Sequence, residues 1–341
     1  MHGMQGNSRY TLSDQQAEAL MGLLDLHGPL QITQVREQNH TYRITCQQQT
    51  FYLKLHTKDW YPPDEGQTGY SVRHEVSAWN ILARHDLATP EIVLAGFDHN
   101  NPLGHAYILT REVPGILMNE LLGEASRQEI AQILYTVGNY LRRMHEITFA
   151  YPGYLLLEDG PTAPPDEQGW QHFTWTLQAR RQVIHQWIQQ HQDELTPSLL
   201  SQLDGLIQQL PELLAPAYTP PRFTQGDFKI DQIIIAQQDG SWAVAASLDM
   251  EVASAGDCIS DLVSLCVSLA QVLSPTLRWW EPLFAGYGQE PDFAAFRLRL
   301  LGGWYPYQPH IWPGIGENGF AHLLQAQDWQ TLFSHSHLPS D

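Results

Sequence analysis

The chain is short of cysteine, of basic residues and of long apolar runs, and each shortage removes a class of protein. Three cysteines, Cys46, Cys258 and Cys266, are too few and too far apart to frame disulfides or a zinc cluster. That scarcity fits a reducing compartment and a cytoplasmic location. Only 18 of 341 residues are Lys or Arg against 37 Asp or Glu, a formal charge of -19. Such a surface repels phosphate backbones and anionic lipid, so neither nucleic acid nor a membrane is an expected partner. The opening MHGMQGNSRYTLSDQQ lacks the basic patch and apolar block of a secretory signal. The longest apolar stretch, Leu262 to Leu273, is broken by Ser264, Ser268 and Gln271 and is well short of the roughly 20 residues that cross a bilayer. No G-x-x-x-x-G-K-[ST] loop and no G-x-S-x-G elbow occur. GIGENG at 314–319 matches G-x-G-x-x-G but follows PYQPHIWP instead of a strand, so it reads as an ordinary loop. His335 and His337, without H-E-x-x-H, read as solvated side chains.

What is present argues for a folded protein of two parts. Hydrophobic residues make up 43% and aromatics 11%, too many for a disordered chain. Ser13 and Gln16 have the spacing of a capping box, and Ala17, Leu20, Met21 and Leu24 continue a helix to about Gly28. Gln31–Arg36, Thr41–Cys46 and Thr50–Leu55 predict an antiparallel meander. A Pro- and Gly-bearing loop, DWYPPDEGQTG, precedes a helix from Ser71 to Arg84, and strands follow at Glu91–Gly96 and His105–Thr110. After Glu112-Val113-Pro114-Gly115 the periodicity becomes helical, over Arg127–His145, Trp170–His191, Pro197–Leu210, Ser260–Leu273 and about Thr276–Tyr287; PTAPPDEQG at 161–169 reads as a loop. The expectation is an α+β fold of two lobes, a small antiparallel-sheet lobe over 1–113 and a larger, mainly helical one over 114–341. A cleft between such lobes is a preferred ligand site. Trp279, Trp280, Phe284 and Tyr287 fall at helical spacing and read as core.

One stretch of the second part places acids at both ends of a hairpin: TQGDFKIDQIIIAQQDGSWAVAASLDMEVASAGD, residues 224–257. Asp239-Gly240 between two apolar runs is a hairpin signal that sets position 232 nearly opposite 247 and 230 opposite 249. At about 3.3 Å per residue, Asp227, Gln232 and Asp249 then meet at one sheet edge. Two carboxylates that close resist joint ionisation unless a cation lies between them, and oxygen ligands of this kind suit magnesium. The competing reading makes both aspartates turn or capping residues. Asp257 is expected to cap the next helix, with Asp261 one turn on, anchoring it.

In the first part, FYLKLH places Tyr52, Lys54 and His56 on one strand face and Phe51, Leu53 and Leu55 on the other. Glu75 follows on a helix that must pack on the same small sheet. A strand lysine held by a helix glutamate is the arrangement by which kinases grip nucleotide phosphates.

Together these segments resemble the aminoglycoside phosphotransferases and their choline-kinase-like and homoserine-kinase-like relatives, which share the protein-kinase fold. QGDFKIDQ resembles the family's catalytic loop, LDMEVASAGDCISDL its metal-binding segment, VGNYLRRMH its helix ending in histidine, and TREVPG its adenine-reading linker. The resemblance implies a two-lobed protein-kinase-like fold and transfer of the terminal phosphate of ATP, or of GTP, to a hydroxyl of a small molecule such as an aminoglycoside, macrolide or amino alcohol. It implies Asp227 as catalytic base, Asp249 and Gln232 as magnesium ligands, and Lys54 on the phosphates with Glu75 holding it. The carbonyl of Arg111 and amide of Val113 would take the adenine, and Asn39 would help cover the phosphates. Two residues depart from the pattern: Gln225 replaces the family's histidine and Gln232 its asparagine. A catalytically impaired nucleotide-binding pseudokinase is the alternative that these departures imply.

Overall fold

A computed structural model describes residues 11–36, 40–56, 72–155, 189, 196–214, 220–300 and 325–334. Asn39, residues 57–71 with the loop expected at DWYPPDEGQTG, the helix expected from Trp170 to His191, the loop expected at 161–169, GIGENG, His335 and His337 lie outside the described residues, apart from residue 189.

The first part is built on a five-stranded antiparallel sheet of order β1-β2-β3-β5-β4, with β1 Gln31–Arg36, β2 Thr41–Cys46, β3 Gln49–His56, β4 Ile92–Gly96 and β5 Ala106–Arg111. Alternation along β2 and β3 drives Tyr42, Ile44, Phe51, Leu53 and Leu55 into one core, where they meet Ala17, Leu20 and Met21 of α1 (Asp14–Gly22). The Ser13–Gln16 capping box starts α1 as expected. The helix stops at Gly22 instead of reaching Gly28, because turns take over and Asp25 adopts a left-handed conformation at φ 56. On the opposite face of the sheet, α2 (Val72–Arg84) buries Val72, Ala78, Ile81 and Leu82 in a second core shared with the rest of the chain.

After the short β6 (Ile116–Leu117), helices dominate among the described residues, beginning with α3 Met118–Glu124, α4 Arg127–His145 and α5 Pro197–Leu214. Short strands β7 (Gly153–Tyr154), β8 (Arg222–Thr224) and β11 (Ser254–Gly256) form one small sheet, and the hairpin β9 (Ile233–Gln238) and β10 (Ser241–Ser247) forms another with β6. Asp239 and Gly240 carry the positive φ values, 50 and 78, that a tight hairpin turn requires. A bulge between Val244 and Ala246 shifts the register by one, so Ser247 faces Ile233 and not Gln232. Gln232 instead meets Leu248, whose N–H donates to the Gln232 carbonyl at 2.8 Å.

The last part comprises α6 (Ile259–Ala270), α7 (Trp280–Tyr287), α8 (Phe293–Arg299) and α9 (Trp329–Phe333). The single helix expected near Thr276–Tyr287 is divided, since a 3-10 turn at Pro275–Leu277 ends in left-handed Arg278 before α7 begins. Asp257 does not occupy the capping position of α6, which is Cys258. Its buried carboxylate accepts from the Ile259 N–H at 3.2 Å and forms a two-point ion pair with Arg299, at 2.6 and 3.0 Å. Trp279, Trp280, Phe284 and Tyr287 are buried, as their spacing predicts. No helix among the described residues is long and apolar enough to cross a membrane.

Candidate active site

Lys54 lies mid-sheet, opposite Thr41 of β2 and Ile108 of β5, on the face away from Phe51, Leu53 and Leu55. That face receives α2, whose first turn carries the buried Glu75. The Lys54 Nζ donates to Glu75 Oε2 at 3.0 Å and to Asp249 Oδ1 at 2.6 Å, and lies 3.0 Å from Glu251 Oε2. Three carboxylates thus converge on one ammonium that is largely out of water. Burial works against charge on Lys54, but the carboxylates hold it well above its ordinary pKa. Burial likewise opposes the Glu75 carboxylate, yet Lys54 and His56 bring it down to about 2. The same helix grips the segment after β10: His74 Nδ1 is 3.3 Å from the Glu251 carbonyl, and the Trp79 indole donates to the Ser247 carbonyl at 3.1 Å. The strand lysine is thereby locked to a segment almost two hundred positions away in sequence.

Beside this cluster runs the loop Gln225–Gln232. Gly226 has φ 91, and a Cβ there would press on the Val252 carbonyl, so only glycine makes this turn. Asp261 pins it from behind, accepting the N–H groups of Gln225 and Gly226 at 2.7 and 2.8 Å. Asp261 in turn lies 3.4 Å from His145 Nε2, and His145 Nδ1 is 2.9 Å from the Tyr287 hydroxyl. The loop leaves Asp227 partly open to solvent, its side chain 34% exposed, with Lys229 Nζ 2.7 Å from one carboxylate oxygen and 2.9 Å from the other. Partial burial raises the Asp227 pKa, Lys229 pulls it back, and Asp249 pushes it up again. Gln232, buried, directs its Nε2 to Asp227 Oδ2 at 3.4 Å while its Oε1 accepts from Gln225 Nε2 at 2.7 Å.

At the end of β5 the Arg111 N–H donates to the Glu91 carbonyl and the Glu112 N–H to Thr50, both at 2.9 Å. Alternation in an extended strand then sets the Arg111 carbonyl on the edge away from β3. The Arg111 side chain is held by Glu91 and Gln49, at 2.8 Å each.

Residues 31–299 match the model of the phosphotransferase enzyme family. The chain belongs to that family. No curated protein matches it. Among solved structures, it is similar to the ADP-bound aminoglycoside phosphotransferase APH(2'')-Ib, at 14% identity over 96% of this chain and 100% of the other, with a TM-score of 0.55. It is similar to APH(2'')-IIa in its ternary complex with streptomycin and ATP, at 14% identity over 95% and 99%, TM-score 0.53. A third is APH(3'')-Id from Streptomyces rimosus ATCC10970, at 18% identity over 83% and 96%, TM-score 0.51. These likenesses establish the two-lobed α+β fold of the phosphotransferases for this chain.

In this family member, Lys54, Glu75 and Asp249 stand together, and Asp227 and Gln232 stand together beside them. Arg111 and Val113 lie at the end of β5 and just past it, in the connection between the two parts. Two residues of the cluster escape the sequence reading. Glu251 is two positions past Asp249 in L-D-M-E, and both faced the same ammonium once folded. Lys229 is two positions past Asp227, and nothing in Q-G-D-F-K says that its side chain folds back onto the aspartate.

Proposed function

We propose that this phosphotransferase moves the terminal phosphate of ATP, with GTP as the alternative donor, to a hydroxyl of a small molecule, an aminoglycoside, macrolide, amino alcohol or similar metabolite. Residues 1–113 serve as the nucleotide-binding lobe and 114–341 as the catalytic and acceptor-binding lobe. The observation that carries the reading is the convergence of Glu75, Asp249 and Glu251 on Lys54. Phosphoryl transfer asks a protein chiefly to position groups and offset charge, and a buried ammonium held mid-sheet by a helix carboxylate is positioned to do both. Lys54 takes the nucleotide phosphates while Glu75 keeps it in place, and the backbone at Arg111 and Val113 takes the base. Asp227, exposed to the cleft, accepts the proton of the acceptor hydroxyl and orients it for attack.

Magnesium is the metal the family implies. Asp249 and Glu251 offer carboxylate oxygens two positions apart in one segment, the ligand type a hard divalent ion takes, and they already gather around a cation. An ion held there would neutralise phosphate charge. The net charge of -19 favours an amine-bearing acceptor over an anionic one.

The test is ADP release with magnesium and ATP across hydroxylated amines, sugars and macrolides. Acceptor-dependent turnover is expected, with Asp227→Asn lowering kcat by about 10²–10⁴-fold at unchanged nucleotide affinity. One observation favours a second reading, a nucleotide-binding pseudokinase: the Gln232 oxygen is engaged by Gln225. Nucleotide binding with no acceptor-dependent ADP release, identical in wild type and Asp227→Asn, would establish that one instead.

A further inference from the structure

We infer that this chain holds one divalent ion with its nucleotide and not two, because Gln232 faces Asp227 as a hydrogen-bond donor; the inference rests on the nucleotide-binding reading above. Kinases of this fold hold two ions, one on the aspartate of the metal-binding segment and one on the carboxamide oxygen of the catalytic loop. The position of that carboxamide here is Gln232, and the direction in which its amide points follows from the backbone.

Gln225 decides it. Its Oε1 accepts the Asp227 N–H at 2.8 Å, and its Nε2 donates to the carbonyls of Leu248 at 3.1 Å and Asp249 at 2.8 Å. Exchanging the two ends would set an NH2 against an N–H and an oxygen against two carbonyls, so three backbone groups fix which end is which. An amide nitrogen accepts nothing, so the Gln232 atom 2.7 Å from Gln225 Nε2 is its Oε1, and the two NH2 hydrogens are shared among that oxygen and the two carbonyls. That leaves the Gln232 NH2 directed at the Asp227 carboxylate, the only sensible polarity for that contact as well. Both glutamines are buried, Gln225 fully and Gln232 to within 5%, so water does not relieve a reversed arrangement. The Gln225 frame is itself rigid, since Asp261 holds its backbone and that of Gly226.

Around Asp227, then, two donors occupy the ground of a second ion: the Gln232 amide and the Lys229 ammonium, which touches both carboxylate oxygens. A fixed ammonium supplies positive charge beside the reacting hydroxyl without a coordination sphere to complete. Asp249 and Glu251 retain carboxylate oxygens for a single ion beside Lys54.

The decisive measurement is a titration of the full chain with Mn²⁺ in the presence of AMP-PNP, with free Mn²⁺ followed by electron paramagnetic resonance. One tightly held ion per bound nucleotide is expected. Two ions would overturn the inference and leave nucleotide binding intact. No AMP-PNP binding at any Mn²⁺ level, read by thermal shift, would bring down both. In Gln232→Leu the Mn²⁺ affinity should be unchanged, whereas loss of a true ligand weakens it by about tenfold or more, a drop that would also refute the assignment. The pair Gln225→His with Gln232→Asn, which frees a loop carboxamide oxygen, is expected to raise the count to two.

Discussion

At the scale of single residues, the contest over Asp227 sets how the enzyme should respond to pH. Burial raises its pKa, and Lys229 is the nearest group that lowers it. Lys229→Met removes that opposition, so the acid limb of the kcat/KM profile is expected to move to higher pH while nucleotide affinity holds; an unmoved limb would deny Lys229 this role. Glu75 behaves oppositely. Against its burial, Lys54 and His56 depress its pKa from the ordinary 4.5 to about 2 in the fold. A depressed carboxylate contributes stability that is fully present above its unfolded pKa and is lost as pH falls toward the folded one. The urea midpoint of the wild type should therefore exceed that of Glu75→Gln above pH 4.5, and the advantage should fade by about pH 2.

At the scale of elements, α4 and α7 pack backbone to backbone, and two glycines permit it. A Cβ on Gly138 would strike the Leu283 carbonyl, and one on Gly286 would strike that of Tyr135. Gly138→Ala and Gly286→Ala should each cost about 1–3 kcal/mol by overpacking, measured by denaturant unfolding. Since both act on one contact, the double variant should cost less than the sum. The same helices carry Tyr287 and His145, which lead through Asp261 to the loop that bears Asp227. Gly286→Ala is accordingly expected to lower kcat as well as stability.

At the scale of the whole molecule, a charge of -19 opposes compaction and attracts cations. Raising salt from 0.01 to 0.1 M shortens the screening length from about 30 Å to about 10 Å. Over that range Tm should rise, and the KM for an amine-bearing acceptor should increase while that of a neutral acceptor stays level. A salt-independent KM for the cationic acceptor would remove net charge from the account of specificity.

How much of this was legible in the sequence depends on the distance over which each feature is encoded. The meander, α4 with its boundaries, the Asp-Gly hairpin and the buried aromatic stripe were legible, because periodicity and turn chemistry act within a few residues. The pairing of Lys54 with Glu75 was anticipated from strand alternation and the kinase arrangement, whereas Asp249 and Glu251 joining them on the same ammonium and Lys229 folding back onto Asp227 were not. The β10 bulge was invisible for a related reason: strand pairing fixes register only when both strands lie in place. The sequence alone determined which groups are available, namely the carboxylates, the amides and the one strand lysine. Which end of Gln232 faces Asp227 was decided only by tertiary structure, because a carboxamide has no preferred direction until fixed donors and acceptors surround it.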